Sequence, residues 1–342
     1  MASVKARTQT HIEVDTRSAL QGKNAKRILR LVLITCALSF STQSRAEEGG
    51  TGHYETGQAG SFIDALPGSP GIGYIDDFIY YHGSGGASQA FPVSGRIASN
   101  FKTTAFMNPS WYLWETPLKI LRGNYSLALN TSYELLSTEA TLTTGGSSVH
   151  KRDTANGDND LLFVPAWIGW TQGDFKYDVR LGVYAPTGEY DKNNLANIGK
   201  NYWTFEPEVS LSYRSSKIGL EASAFAGCDF NTKNYATDYQ TGDEFHLDVT
   251  IAEHVPVGHT GFIGVGATAW YYQQITGDSG AGATLGSFEG NASGVGPVIS
   301  CVIHPEKEVQ LVAEAKWQPD LQVENRLRGD IVWLKAGVLI LF

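Results

Sequence analysis

The fold is decided by the last fourteen residues, Gly329 to Phe342, GDIVWLKAGVLILF. Counted in twos from the end, one set is Phe342, Ile340, Val338, Ala336, Leu334 and Val332, all apolar. The other set is Leu341, Leu339, Gly337, Lys335 and Trp333, which is mixed. A period of two is the mark of a strand with two unlike faces. A soluble sheet produces the same pattern, so the rest of the chain has to decide.

The pattern recurs upstream. In FKYDVRLGVYAPTG (175–188), Phe175, Tyr177, Val179, Leu181, Val183 and Ala185 oppose Lys176, Asp178, Arg180, Gly182 and Tyr184. In NYWTFEPEVSLSYR (201–214), Trp203, Phe205, Val209, Leu211 and Tyr213 oppose Tyr202, Glu206, Glu208, Ser210 and Arg214. In DEFHLDVTI, Phe245, Leu247, Val249 and Ile251 oppose His246, Asp248 and Thr250. In EVQLVAEAKWQ, Leu311, Ala313, Ala315 and Trp317 oppose Gln310, Glu314 and Lys316. With weaker candidates near 71–82, 99–116, 124–138, 160–171, 217–229, 260–274 and 292–303, about twelve strands are expected. Pro207 falls inside one of them and predicts a local bulge.

The connections carry as much information. Short polar turns at 171–174, 214–217 and 304–307 alternate with long Gly-, Asn- and Asp-rich loops near 138–159, 186–201, 229–243 and 275–291. An up-and-down barrel in an outer membrane has this asymmetry. Closure is also the way strands satisfy every backbone hydrogen bond in lipid. The fold class is therefore all-β: a transmembrane antiparallel up-and-down barrel of outer-membrane type. In such a barrel the charged set faces inward, because Lys or Arg facing lipid at the midplane costs about 2–4 kcal/mol. The expected lumen ladder is Lys176, Asp178, Arg180, Glu206, Glu208, His246, Asp248, Glu314, Lys316 and Lys335, with Glu206 and Glu208 paired to Lys176 and Arg180. A last strand ending on Phe342, with Ile340 and Val338 on the same face, suits the signal read by barrel-assembly machinery.

The N-terminus agrees. Lys23, Lys26, Arg27 and Arg30 cluster at the start of ILRLVLITCALSF (28–40), and Ser44 and Ala46 are placed for small-residue cleavage. Residues 1–46 thus read as a secretory signal peptide. They hold eight basic and two acidic residues, so the net charge of −9 becomes −15 once their +6 is removed. An acidic chain offers no electrostatic footprint for nucleic acid. Beyond the signal, Cys228 and Cys301 stay open as a pair. The expected barrel is 73–342, and residues 47–72 form either a periplasmic tail or a plug folded into the lumen.

Chemistry-bearing motifs are few. Neither H-E-x-x-H nor G-x-S-x-G occurs, and DTANGDND (153–160) lacks the spacing of a calcium loop. No catalytic residue, metal ligand or cofactor is expected from these patterns.

The stretches HYETGQAGSFIDALPGSPGIGY (53–74), LGVYAPTGEYD (181–191), LANIGKNYWTFEPEVSLSY (195–213), DFNTKNYATDYQTGDEFHLD (229–248) and YYQQITGDSGAG (271–282) carry a resemblance. From about His53 to Phe342 the chain resembles the outer-membrane barrel family named for the meta-pathway of phenol degradation. The resemblance implies a bacterial outer-membrane channel for passive passage of small hydrophobic, aromatic compounds. A solute path would then use Tyr54, Phe62, Leu66, Tyr184, Tyr202, Trp270 and Tyr272. The expected partners are that solute, outer-membrane lipid and lipopolysaccharide, and the assembly machinery. The alternatives are a general polar porin, a structural or adhesive outer-membrane protein, and an enzyme acting in the lumen or on lipid.

Overall fold

Gly71 pairs with Leu341, Ile72 with Ile340, and so on to Ser84 with Arg328. When the first long strand bonds to the last, a sheet of consecutive antiparallel neighbours has to close on itself. The computed structural model of the chain describes residues 47–65, 68–86, 89–93, 96–144, 146–215, 217–287 and 289–342. The segment 1–46, expected to be a signal peptide, and Leu66 lie outside the described residues.

Among these residues the strands are β1 (Gly71–Ser84), β2 (Phe91–Val93), β3 (Arg96–Ile120), β4 (Gly123–Thr144), β5 (Ser147–Asp158), β6 (Leu161–Gln172), β7 (Phe175–Ala185), β8 (Thr204–Arg214), β9 (Leu220–Asn231), β10 (Glu244–Val257), β11 (Gly261–Gln274), β12 (Asn291–Glu306), β13 (Val309–Glu324) and β14 (Arg328–Leu341). Twelve form the ring expected from the sequence: β1 lies between β14 and β3, β3 bonds to β4, β4 to β6, and the others follow chain order. β2 and β5 are hairpin additions to β3 and β4.

The ring sorts its residues as the period of two requires. Along β8, Thr204, Glu206, Glu208, Ser210 and Ser212 are buried, whereas Phe205, Val209 and Leu211 are exposed. The same outward belt includes Phe78, Phe106, Trp114, Ile251, Val265, Ile299, Leu334 and Ile340. A soluble monomer does not carry so broad an apolar surface; a lipid-facing wall does. Trp203 and Trp317 are exposed on the same outward face.

The two rims differ. At one, strands join through Leu121–Arg122, Gly173–Asp174, 215–219, 258–260 and 307–308, and β1 begins and β14 ends there. The other rim carries 186–203, 232–243 and 275–290. The expected loop at 138–159 is instead mostly strand, because β4 continues to Thr144 and β5 folds back from Ser147. Its Thr-rich residues favour an extended chain, but most of β5 is exposed or half-buried, so no apolar alternation announces it. The bulge expected at Pro207 is also corrected. The β8–β9 register stays constant, Phe205 opposite Phe230 and Glu208 opposite Gly227, but the pairing is interrupted at Glu206 and Pro207. Proline has no N–H to donate.

Cys228 lies on β9 and Cys301 on β12, three strand spacings or about 14 Å apart along the wall. That exceeds the reach of a disulfide.

Candidate functional site in the lumen

The inward face meets residues 47–65 and 68–70, which descend from the loop-bearing rim to the start of β1. With little periodic structure of their own beyond short 3-10 turns at Glu48–Gly50 and Phe62–Asp64, they are held by wall side chains. Near the loop rim, Glu47 accepts from Tyr272 and lies 3.7 Å from Arg326. His53 contacts Asp160 at 2.9 Å and Thr204 at 2.7 Å. Tyr54 donates to Asp248 at 2.7 Å and stacks on His246, with ring centroids 4.0 Å apart. Lys316 donates to the Gly57 carbonyl at 2.7 Å. The Phe62 amide donates to Glu221 at 2.7 Å. Asp64 pairs with Lys335, and the Gly68 amide donates to Glu115.

The charged ladder is therefore assembled differently from the sequence expectation. Arg180 bridges Asp178 at 3.2 Å and Glu208 at 3.0 Å and lies over the Trp167 ring at 4.2 Å. Glu314 pairs with Lys316 at 3.3 Å. Lys176, however, stands opposite Ser212 rather than opposite a glutamate. Glu206 faces His246 at 3.0 Å. Asp248, Lys316 and Lys335 reach the N-terminal segment, so the ladder connects wall to segment as much as strand to strand.

His53, Asp160 and Thr204 resemble an acid–base–nucleophile relay, but Thr204 donates its own proton to Asn231 at 2.6 Å and is fully buried. A nucleophile has to reach its substrate, so this trio reads as a latch. Burial alone would raise Asp160; the His53 bond and charge and the Lys200 and Gly188 amides outweigh it and hold the carboxyl below its usual range.

Space is left between segment and wall as a succession of cavities. One of about 130 Å³ near the loop rim is lined by Tyr54, Glu55, Tyr81, Phe101, Met107 and Trp270. A narrow one of about 50 Å³ shares Glu55 and Met107 with it and adds Gln58, Trp111 and Tyr184. A third of about 90 Å³ shares Gln58 and Trp111 and adds Leu113, Ala128, Val164 and Trp167. The last, about 230 Å³, shares Ile63, Ala65 and Leu339 with the third and adds Phe62 and Phe262.

The aromatic residues singled out in the sequence, Tyr54, Phe62, Tyr184, Tyr202, Trp270 and Tyr272, are all buried. Tyr54, Tyr202 and Trp270 line the first cavity, Tyr184 the second and Phe62 the last. Tyr202 precedes β8 and packs edge-on against His53. Tyr272 is fully buried against Glu47. Trp111, Leu113, Val164 and Trp167 were not anticipated. They lie on strands whose outward faces are apolar too, so alternation could not separate their two sides.

A family model covers residues 85–336, most of the chain. The chain belongs to the family described as "Putative MetA-pathway of phenol degradation". No curated protein matches this family member in sequence. Among solved structures it is similar to an outer membrane channel from Pseudomonas putida F1, at 14% identity over 81% of this chain and 97% of that one, TM-score 0.55. The β domain of the Bordetella autotransporter BrkA matches at 10% identity over 80% and 100%, TM-score 0.43. A Pseudomonas aeruginosa FadL homologue matches at 12% over 89% and 100%, TM-score 0.37. The first likeness supports an outer-membrane-type barrel fold for this family member.

Proposed function

We propose that the protein is an outer-membrane channel for passive passage of small hydrophobic, aromatic-sized solutes, and that residues 47–65 plug its lumen. The observation that carries this reading is the succession of cavities joined by shared lining residues. They run from rim to rim past Trp111, Leu113, Val164, Trp167 and Phe262. Their sizes, about 90 and 130 Å³ for the middle and upper ones, are near the ~150 Å³ of an apolar cavity that takes up benzene. Meanwhile Arg180, Lys316 and Lys335 are occupied by carboxylates, which disfavours a wide polar pore. The P. putida relative's description as a channel supports the same reading.

The lipid-facing belt is proposed to meet phospholipid and lipopolysaccharide, and the C-terminal residues Phe342, Ile340 and Val338 to engage the assembly machinery after export. Phe342 and Ile340 are exposed and available for this. No chemical step is assigned to the lumen.

The test is uptake of a radiolabelled aromatic hydrocarbon into vesicles whose outer leaflet is lipopolysaccharide. Entry faster than into protein-free vesicles is expected, with ion conductance low for the intact chain and raised by deleting 47–65. Entry no faster than the bare vesicles removes the transport reading; unchanged conductance in the deletion removes the plug.

A further inference from the structure

The interruption of the ladder beside Pro207 has a neighbour on each side. The β8–β9 register sets Glu206 across from Asp229, at the pair where hydrogen bonding lapses. Both side chains face the lumen and both are buried. From the next strand His246, in register with Gly227, reaches over β9. A Cβ at residue 227 would run into the His246 ring, and one at Gly182 would come within 2.8 Å of Glu206 Oε2. Two glycines thus keep clear the space that the imidazole and the carboxylate occupy.

One donor atom from each of Glu206, Asp229 and His246 falls within 4.8 Å of the others. His246 Nε2 is 3.0 Å from Glu206 Oε1 and 3.8 Å from Asp229 Oδ1. Ligands of a tetrahedral Zn²⁺, with bonds of about 2.0–2.2 Å, lie roughly 3.4 Å apart, so small side-chain rotations would suffice.

The independent observation is Asp229. It is fully buried, and among the described residues neither of its carboxylate oxygens has a hydrogen-bond partner. A buried carboxylate in that condition is strongly unfavourable unless a cation or a proton compensates it. Arg180 is committed to Asp178 and Glu208, and His246 stands between the Glu206 and Asp229 carboxylates. Tyr54 lies flat on that imidazole and fixes its plane.

We propose that Glu206, Asp229 and His246 form a binding site for a divalent transition-metal cation, with its open position toward the cavity that Glu206 and Tyr54 line. One imidazole nitrogen and two carboxylate oxygens suit Zn²⁺, Fe²⁺ or Mn²⁺ rather than the all-oxygen shell of Ca²⁺. The site would cross-link β8, β9 and β10 where the backbone ladder is interrupted.

The test uses the untagged chain purified in detergent, stripped with EDTA and dialysed, and titrated calorimetrically with ZnCl₂. One Zn²⁺ per chain at micromolar or tighter Kd is expected, with a raised unfolding temperature. Asp229→Asn, Glu206→Gln and His246→Gln should each weaken binding at least tenfold, with folding checked by heat-modifiable gel migration. Should those variants not fold, X-ray absorption of the Co²⁺- or Zn²⁺-loaded parent chain decides: a shell of one imidazole with oxygens supports the site. Absence of stoichiometric binding, binding undiminished in a folded Asp229→Asn/His246→Gln variant, or a shell with two or more imidazoles overturns it.

Discussion

Lys335 on the last strand holds Asp64 of the N-terminal segment in a buried ion pair, with side chains 4% and 11% exposed. The pair joins the two extremes of the described chain across the lumen. Removing one partner of such a pair leaves a charge without its counter-ion and costs about 3–5 kcal/mol. Lys335→Met should therefore lower the unfolding temperature in detergent and raise single-channel conductance. Lys335→Met with Asp64→Asn should recover most of the stability. A lone Lys335→Met as stable as the parent would show that the pair anchors nothing.

Asp278 gives a pH dependence outside the wall. Burial raises its carboxyl to about 7, against the opposing hydrogen bonds of Tyr239, the Gly242 amide and Gln274. The unfolded carboxyl titrates near 3.9. Between those values the folded state keeps a proton that the unfolded state has released, so the loops lose stability as pH climbs from about 4 to about 7. Hydrogen exchange of amides 238–242 and 276–282, corrected for intrinsic rates, should show protection falling over that range. Asp278→Asn should flatten the curve; a slope that persists in the variant refutes the assignment.

Gly227 is expected to tolerate no side chain. Valine there would drive into the His246 ring and displace it from Glu206 and from Tyr54. Overpacking of this kind costs about 1–3 kcal/mol. Thermal unfolding of Gly227→Val should show the loss, whereas Gly86→Val, with nothing within 4 Å of its Cβ position and no positive φ, is the reference for a glycine replaced without a clash. Equal midpoints for the two would contradict the crowding at 227.

Ala128 faces the middle cavity beside Trp111 and Trp167. Ala128→Trp should fill that space, slow aromatic entry several-fold and leave the barrel folded. Entry at the parent rate in a folded variant would mean that solutes take another way through.

Much of the wall is legible in the sequence, because a membrane imposes one rule on every strand. Phe205, Val209 and Leu211 against Glu206, Glu208 and Ser210 announce β8 without help from their neighbours. β5 escapes, since neither of its faces is buried. The contacts of the N-terminal segment also escape: Tyr54, Asp64 and Phe62 are held by groups from separate strands, not by a repeating ladder. The meeting of Glu206, Asp229 and His246 depends on the register across β8, β9 and β10, which no single strand encodes. Its one local sign was Pro207, a residue out of place in a central strand.

The fourteen-rung seam between β1 and β14 makes the first stretch of barrel wait for the last. A nascent chain stopped anywhere before residue 328 would have neither a sealed cylinder nor the lysine that fastens Asp64. The strand that seals the cylinder is thus also one that fastens the N-terminal segment, so closing the wall and anchoring what it encloses are a single event.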